Sequence, residues 1–248
     1  MPSAREAILW LHGYTMDSRI WDEVWAALPG WRHIGVDLPR HGSAAAEPLS
    51  DRRRIGRQLA QEARRHGARH VVALSFGTML ALQAAIEDPT AFASVTLAAP
   101  ALAGGPEDPA ARVRYSQLAA LYRRYGPGPH MTSLWLAAPP HIFSGLRAHA
   151  DRFARVSAII AGHRWSELGG DEMERLSREP QTRAELSRIA ARVLVLRGDA
   201  ELPAFVEAAA IVRDCVPGAR EVVMPGIGHL SLLEAPERAA QAVAQLTS

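Results

Sequence analysis

Short apolar runs alternate along this chain with stretches in which apolar residues recur every three or four positions. Ala7–Leu11 (AILWL), residues 33–36, residues 71–74, Ser94–Ala98, residues 193–197 and residues 221–224 read as strands. Helical spacing falls between them. Trp21, Trp25 and Leu28 share a face within 20–28, and Ile55, Leu59 and Ala63 share one within 52–66. A small-residue helix over 77–86 stops before Pro89, and further helices are predicted over 205–214 and 236–246. Strands that are apolar almost throughout, separated by helices, predict an α/β fold with a mostly parallel sheet covered on both faces. About six strands are expected.

The rhythm breaks between residues 100 and 189. Gly104 and Gly105, Pro127 and Pro129, Pro139 and Pro140, and Gly169 and Gly170 punctuate helical pieces over 112–125 and 146–162. The pattern predicts a core made of 1–99 and 190–248, with a helical lid (cap) of residues 100–189 inserted between the fourth and fifth strands.

Composition narrows the chemistry. With 48% hydrophobic and 22% charged residues in 248, the chain can bury a sizeable core. The net charge is only +2. All 28 basic residues are Arg, which does not release its proton at accessible pH, so a basic isoelectric point follows from a small excess. It is no sign of a nucleic-acid partner. Without Lys there is no lysine Schiff base and no phosphate-loop lysine. Without Asn there is no N-glycosylation acceptor. The one cysteine, Cys215, excludes an intrachain disulfide and reads as a quiet structural thiol. The ten histidines show neither HxH nor HExxH spacing, so no metal and no other cofactor is expected. No apolar run approaches the ~18 residues of a membrane span, and residues 1–6 show no signal pattern. A cytoplasmic protein without a membrane partner is the expectation; the oligomeric state is open.

Four segments carry candidate chemistry. In HVVALSFGTMLAL (70–82), Ser75 sits where a strand meets a helix, with the small residues Ala73 and Gly77 two positions to either side. LHGY (11–14) ends the first strand. VLVLRGD (193–199) puts Asp199 just past another strand, and a lone Asp there is more often a helix cap. PGIGHLSLLE (225–234) places His229 on a glycine-flanked loop. Ser75, Asp199 and His229 follow one another in the order of a Ser-Asp-His triad on a strand-turn-helix scaffold.

With DLPRHG (37–42) and GIGHLSLLEAPE (226–237), these segments resemble the α/β-hydrolase superfamily, and small serine esterases and enol-lactonases within it. The usual G-x-S-x-G is here A-x-S-x-G, and Arg40 stands where the DLPRHG loop usually has Gly. Two leading strands of the family sheet have no counterpart, since six residues precede Ala7. The resemblance implies Ser75 as nucleophile, His229 as base and Asp199 as the acid that orients it, with Glu107 or Asp108 as alternatives. It implies an oxyanion hole of the Tyr14 and Phe76 backbone N–H groups, and His12 as a structural residue. The implied reaction is cleavage of a small-molecule ester, lactone or thioester through an acyl-enzyme. Open alternatives are a non-hydrolytic step (cyclisation, elimination or condensation) and a binding protein without turnover. Trp135 and Trp165 are candidate substrate contacts in the insertion, where Tyr122, Tyr125, Arg112, Arg114, Arg123 and Arg124 read more readily as packing or solvated residues.

Overall fold

The computed structural model describes residues 6–247. Most of the segment in which no signal pattern was read, residues 1–5, lies outside them. Six strands, β1 (Ala7–Leu11), β2 (Arg32–Val36), β3 (Ala68–Leu74), β4 (Ser94–Ala98), β5 (Arg192–Gly198) and β6 (Arg220–Met224), form one sheet in the order β2-β1-β3-β4-β5-β6. Every pairing is parallel. β1 and β4 are buried at every position. Helices cover both faces, as strands apolar on both sides require.

The helices are α1 (Asp22–Ala26), α2 (Arg52–Arg65), α3 (Phe76–Glu87), α4 (Pro109–Tyr125), α5 (Pro129–Leu136), α6 (Ala150–Ala161), α7 (Glu172–Arg178), α8 (Arg183–Leu186), α9 (Pro203–Cys215), α10 (Ser231–Glu234) and α11 (Pro236–Thr247). α4 to α8 fall between β4 and β5. α3 is buried from Phe76 to Ile86, which accounts for its mostly apolar and small composition. α2 is amphipathic instead: it buries Ile55, Leu59 and Ala63, and Asp51 caps it by accepting from the Arg53 and Arg54 N–H groups.

Two predicted helices are interrupted. The 20–28 stretch is a 3₁₀ turn (Ser18–Trp21) followed by α1, because the Asp17 side chain caps at Arg19 and starts the turn early. Trp21 and Trp25 still share a face, with ring centroids 5.3 and 6.3 Å from that of Trp10. The 146–162 stretch breaks at His149, whose φ of −119° and ψ of 83° separate the 3₁₀ turn Leu146–Ala148 from α6. No helix of the described residues is long and apolar enough to cross a membrane.

The strand order positions the site. The chain leaves β1 for β2 on one side and returns to β3 on the other, then continues outward through β4, β5 and β6. Loops leaving the carboxyl ends of β1 and β3 therefore diverge and open a crevice, the usual place for a ligand in such a sheet. The loop after β1 holds Gly13 and Tyr14, and the turn after β3 holds Ser75.

Candidate active site

β3 ends at Leu74 and α3 begins at Phe76, so Ser75 alone makes the turn. Its φ of 49° and ψ of −116° are rare for a residue with a side chain and cost on the order of 1–3 kcal/mol. The surroundings hold it there. Ser75 N–H donates to the Ala98 carbonyl at 2.8 Å, and the Thr78 N–H and hydroxyl donate to the Ser75 carbonyl at 2.9 and 2.5 Å. Gly77 explains the small residue downstream: a Cβ there would lie 2.6 Å from the His12 carbonyl oxygen and 2.8 Å from that of Leu11. The first turn of α3 thus rests directly on the backbone at the end of β1.

His229 is buried, and its Nε2 lies 2.9 Å from Ser75 Oγ. Nδ1 lies 2.7 Å from Glu201 Oε1, whose side chain is fully buried. A carboxylate only accepts, so Nδ1 carries the hydrogen and Nε2 is free to accept from the Ser75 hydroxyl. Phe205 of α9 packs edge-on against the imidazole, with centroids 4.4 Å apart. Glu234 fixes the backbone on both sides of His229. Its two carboxylate oxygens accept from the Gly228 N–H at 2.7 Å and the Leu230 N–H at 2.9 Å.

The acid beside the histidine is therefore Glu201, not the Asp199 expected from the sequence. Asp199 Oδ1 accepts from the Gly226 N–H at 2.8 Å, and the residue is exposed. The Asp199 and Ala200 N–H groups donate to the Met224 and Ile227 carbonyls, stitching the two loops together. A side chain at Gly198 would collide with the Ile227 and Gly228 carbonyls, so glycine is what lets the loops approach. Glu201 comes next on the inner side. Its Oε1 also accepts from the Leu202 N–H at 2.9 Å, beside the positive end of α9. Asp108, one of the other acids considered, caps α4 through the Ala111 N–H.

His12 holds the loop after β1. It is fully buried, its Nδ1 lies 2.9 Å from the Gly13 carbonyl, and its Nε2 accepts from the Leu38 N–H at 2.9 Å. Burial lowers its pKa to about 4, so it stays neutral near pH 7. That matches its expected structural role. Tyr14 follows, with its phenol on Glu167. No backbone carbonyl of the described residues takes the Tyr14 N–H. The Phe76 N–H is one of the donors that the first turn of a helix leaves unpaired.

Ser75 and His229 open into a cavity of about 130 Å³, whose walls include Tyr14, Met16, Phe76, Tyr115, Trp135, Ile142, Phe143 and Phe205. No charged residue lines it among those described. Trp135 is in the wall, as expected of a substrate contact. Trp165 is not: it is buried behind the cavity, against Tyr14 and His163. Tyr115, unremarked in the sequence, takes a place in the wall, where α4 also contributes Ala111. Arg114 donates to the Leu134 and Pro139 carbonyls, a structural use of a buried guanidinium. Met16 also lines a second cavity, of about 320 Å³, with Arg19, Arg164, His163, Asp17 and Asp37.

A family model described as the alpha/beta hydrolase family matches residues 8–242. The chain is 27% identical over 184 residues to 2-succinyl-6-hydroxy-2,4-cyclohexadiene-1-carboxylate synthase of Enterobacter sp. (strain 638), covering 72% of this chain and 69% of that one. In structure it resembles a thermophilic esterase from Thermogutta terrifontis, with a TM-score of 0.79 and 22% identity over 97% of this chain and 88% of that one. It also resembles the enol-lactonase from Burkholderia xenovorans LB400, with a TM-score of 0.78 and 18% identity over 99% and 92% of the two chains.

Proposed function

Because the chain belongs to the alpha/beta hydrolase family, we propose that it is a serine hydrolase cleaving small, uncharged carboxylic esters, lactones or thioesters. The observation that carries this reading is the continuous line of contacts from Glu201 through His229 to Ser75. His229 Nε2 takes the hydroxyl proton as Ser75 Oγ bonds to the substrate carbonyl carbon. Glu201 holds the required tautomer and stabilises the imidazolium that forms. The Tyr14 and Phe76 N–H groups receive the oxyanion. The intermediate collapses with release of the alkoxide or thiolate, which takes the proton from His229. Water then attacks the acyl-enzyme by the same proton route. The segment 100–189 serves as the cap, supplying Tyr115, Trp135, Ile142 and Phe143 to the acyl pocket. A cavity this small falls below the ~300–1,000 Å³ of sites for drug-sized ligands, and its uncharged lining suits a short apolar or aromatic acyl group.

A second reading follows from the synthase likeness: a non-hydrolytic step on the same Ser75–His229 pair. The product named for that relative carries carboxylates, which would call for cations near Ser75. Here Arg19 and Arg164 line only the second cavity, beyond Met16, and Arg19 is already paired with Asp17 at 2.7 Å. This favours the hydrolytic reading.

A fluorophosphonate probe tests the nucleophile: it should label the wild type and not Ser75→Ala. A folded wild type that resists labelling would overturn the proposal. Labelling without turnover of 4-nitrophenyl esters, lactones or acyl thioesters would transfer support to the second reading.

A further inference from the structure

We propose that Glu167 is a positioning residue for acyl transfer: by accepting the Tyr14 phenol hydrogen it sets the Tyr14 backbone N–H in the oxyanion hole. The inference rests on the hydrolytic reading above and adds a role that reading does not need.

The Tyr14 hydroxyl donates to Glu167 Oε1 at 2.5 Å. The Glu167 side chain is fully buried, and the same oxygen lies 3.0 Å from His163 Nε2. Burial and the adjacent carboxylate push the Tyr14 phenol well above its ordinary range, so it remains a donor. The Tyr14 ring is seated between two parts of the fold. Phe76 and His41 belong to the core, at centroid distances of 6.0 and 5.8 Å. Tyr115 and Trp135 belong to the segment between β4 and β5, at 5.3 and 5.5 Å.

The other backbone restraint at this point is local: the Met16 N–H donates to the Gly13 carbonyl at 3.2 Å, within the same loop. Gly13 offers no side chain, and His12 grips only its near side. The Tyr14 carbonyl accepts from the Thr15 hydroxyl, a neighbour in the same loop, so that contact does not anchor the loop to the fold. The phenol is the far-side anchor. A Tyr side chain has two torsions between ring and backbone, so holding the hydroxyl and surrounding the ring with these aromatics restrains the peptide. Shifting the loop would pull a donor from a buried carboxylate, whose other oxygen, Oε2, already lacks a partner. Glu167 thus acts at a distance from the reacting atoms, through one side chain.

The experiment compares Tyr14→Phe, Glu167→Ala and Glu167→Gln with the wild type. It measures kcat and KM on 4-nitrophenyl acetate and the rate constant for fluorophosphonate labelling of Ser75. Tyr14→Phe keeps the backbone N–H and the ring. It should lower kcat and the labelling rate roughly tenfold, less than outright loss of an oxyanion donor, with KM within about twofold. Glu167→Ala should match it, and Glu167→Gln, which retains an acceptor oxygen, should restore most of the rate. Lower melting temperatures with unchanged kcat and labelling rate would overturn the inference, leaving a merely structural pair. A raised KM at constant kcat would also overturn it, in favour of a pocket role. If Tyr14→Phe does not fold, the Ala and Gln variants of Glu167 decide on the same criteria. A wild type that resists labelling would remove the hydrolytic reading, and this inference with it. Normal wild-type labelling with unaffected variants removes the inference alone.

Discussion

Glu201 Oε1 stands 2.7 Å from His229 Nδ1, while Asp199, two residues earlier, spends its carboxylate on the backbone of Gly226. The pair separates the two acids by function. Glu201→Gln should reduce kcat by about 10³- to 10⁴-fold, because an amide can force the wrong histidine tautomer. Asp199→Asn should change kcat by less than about threefold, since a surface amide oxygen accepts from an N–H as well. Steady-state kinetics on one ester, with both variants side by side, checks the assignment; a larger loss in Asp199→Asn would reverse it.

Glu234 accepts the N–H groups on either side of His229. Glu234→Ala strands two buried donors, at about 1–3 kcal/mol each, so urea unfolding should show a loss of several kcal/mol. Where the variant is folded, kcat should fall as well, because the histidine loop is no longer held from both sides. Glu234→Gln, with one acceptor oxygen and one NH₂, should fall between Ala and wild type.

Phe143 and Trp135 meet edge to face, 5.9 Å apart, in the wall of the cavity at Ser75. Phe143→Ala should widen that pocket without touching Ser75 or His229. The ratio of kcat/KM for 4-nitrophenyl octanoate over acetate should rise about tenfold or more, given roughly 1–3 kcal/mol for a methylene gained or lost in an apolar pocket. An unchanged ratio would place the acyl chain elsewhere.

His12 must stay neutral in the folded state, where burial lowers its pKa from the ordinary 6.5 to about 4. Between those values the unfolded chain binds the proton and the folded one does not, so stability is full above pH 6.5 and falls as the pH drops towards 4. The difference corresponds to about 3 kcal/mol by pH 4. His41, buried beside it and also pushed well below its ordinary value, adds in the same direction. Urea midpoints measured from pH 7.5 to 4 should trace this decline, and His12→Gln should flatten part of it.

Much of this was readable from the sequence because it lies in local pattern. The apolar runs mark all six strands, and the small residues around Ser75 mark the turn. Gly77 shows why: main chain from β1 occupies the space a side chain would need. Chain order and the nearby glycines single out His229, whose Nε2 lies 2.9 Å from Ser75 Oγ. They do not single out the acid, because Asp199 and Glu201 both follow the strand, and spacing does not say which faces inward. That depends on the backbone bonds from 199 and 200 to the neighbouring loop, a pairing between distant segments. A clue was available: Glu201 directly precedes Leu202 and Pro203, where a helix begins and a buried carboxylate is welcome. Trp165 lies outside the pocket wall and Tyr115 within it for a similar reason, since helical spacing within the insertion does not reveal which helix face meets the core.

The contact at Gly77 separates two kinds of change. The gap between Ser75 and the loop after β1 is set by main-chain atoms meeting main-chain atoms, so it is indifferent to most nearby side chains. The walls of the cavity at Ser75 are side chains, many of them on the segment between β4 and β5. Substitutions there can re-tailor what is accepted while the reacting geometry stays in register, whereas a single added methyl at residue 77 would disturb the chemistry and leave the pocket intact. Selection or engineering for a new substrate therefore has a large set of permissive positions and, at the turn itself, almost none.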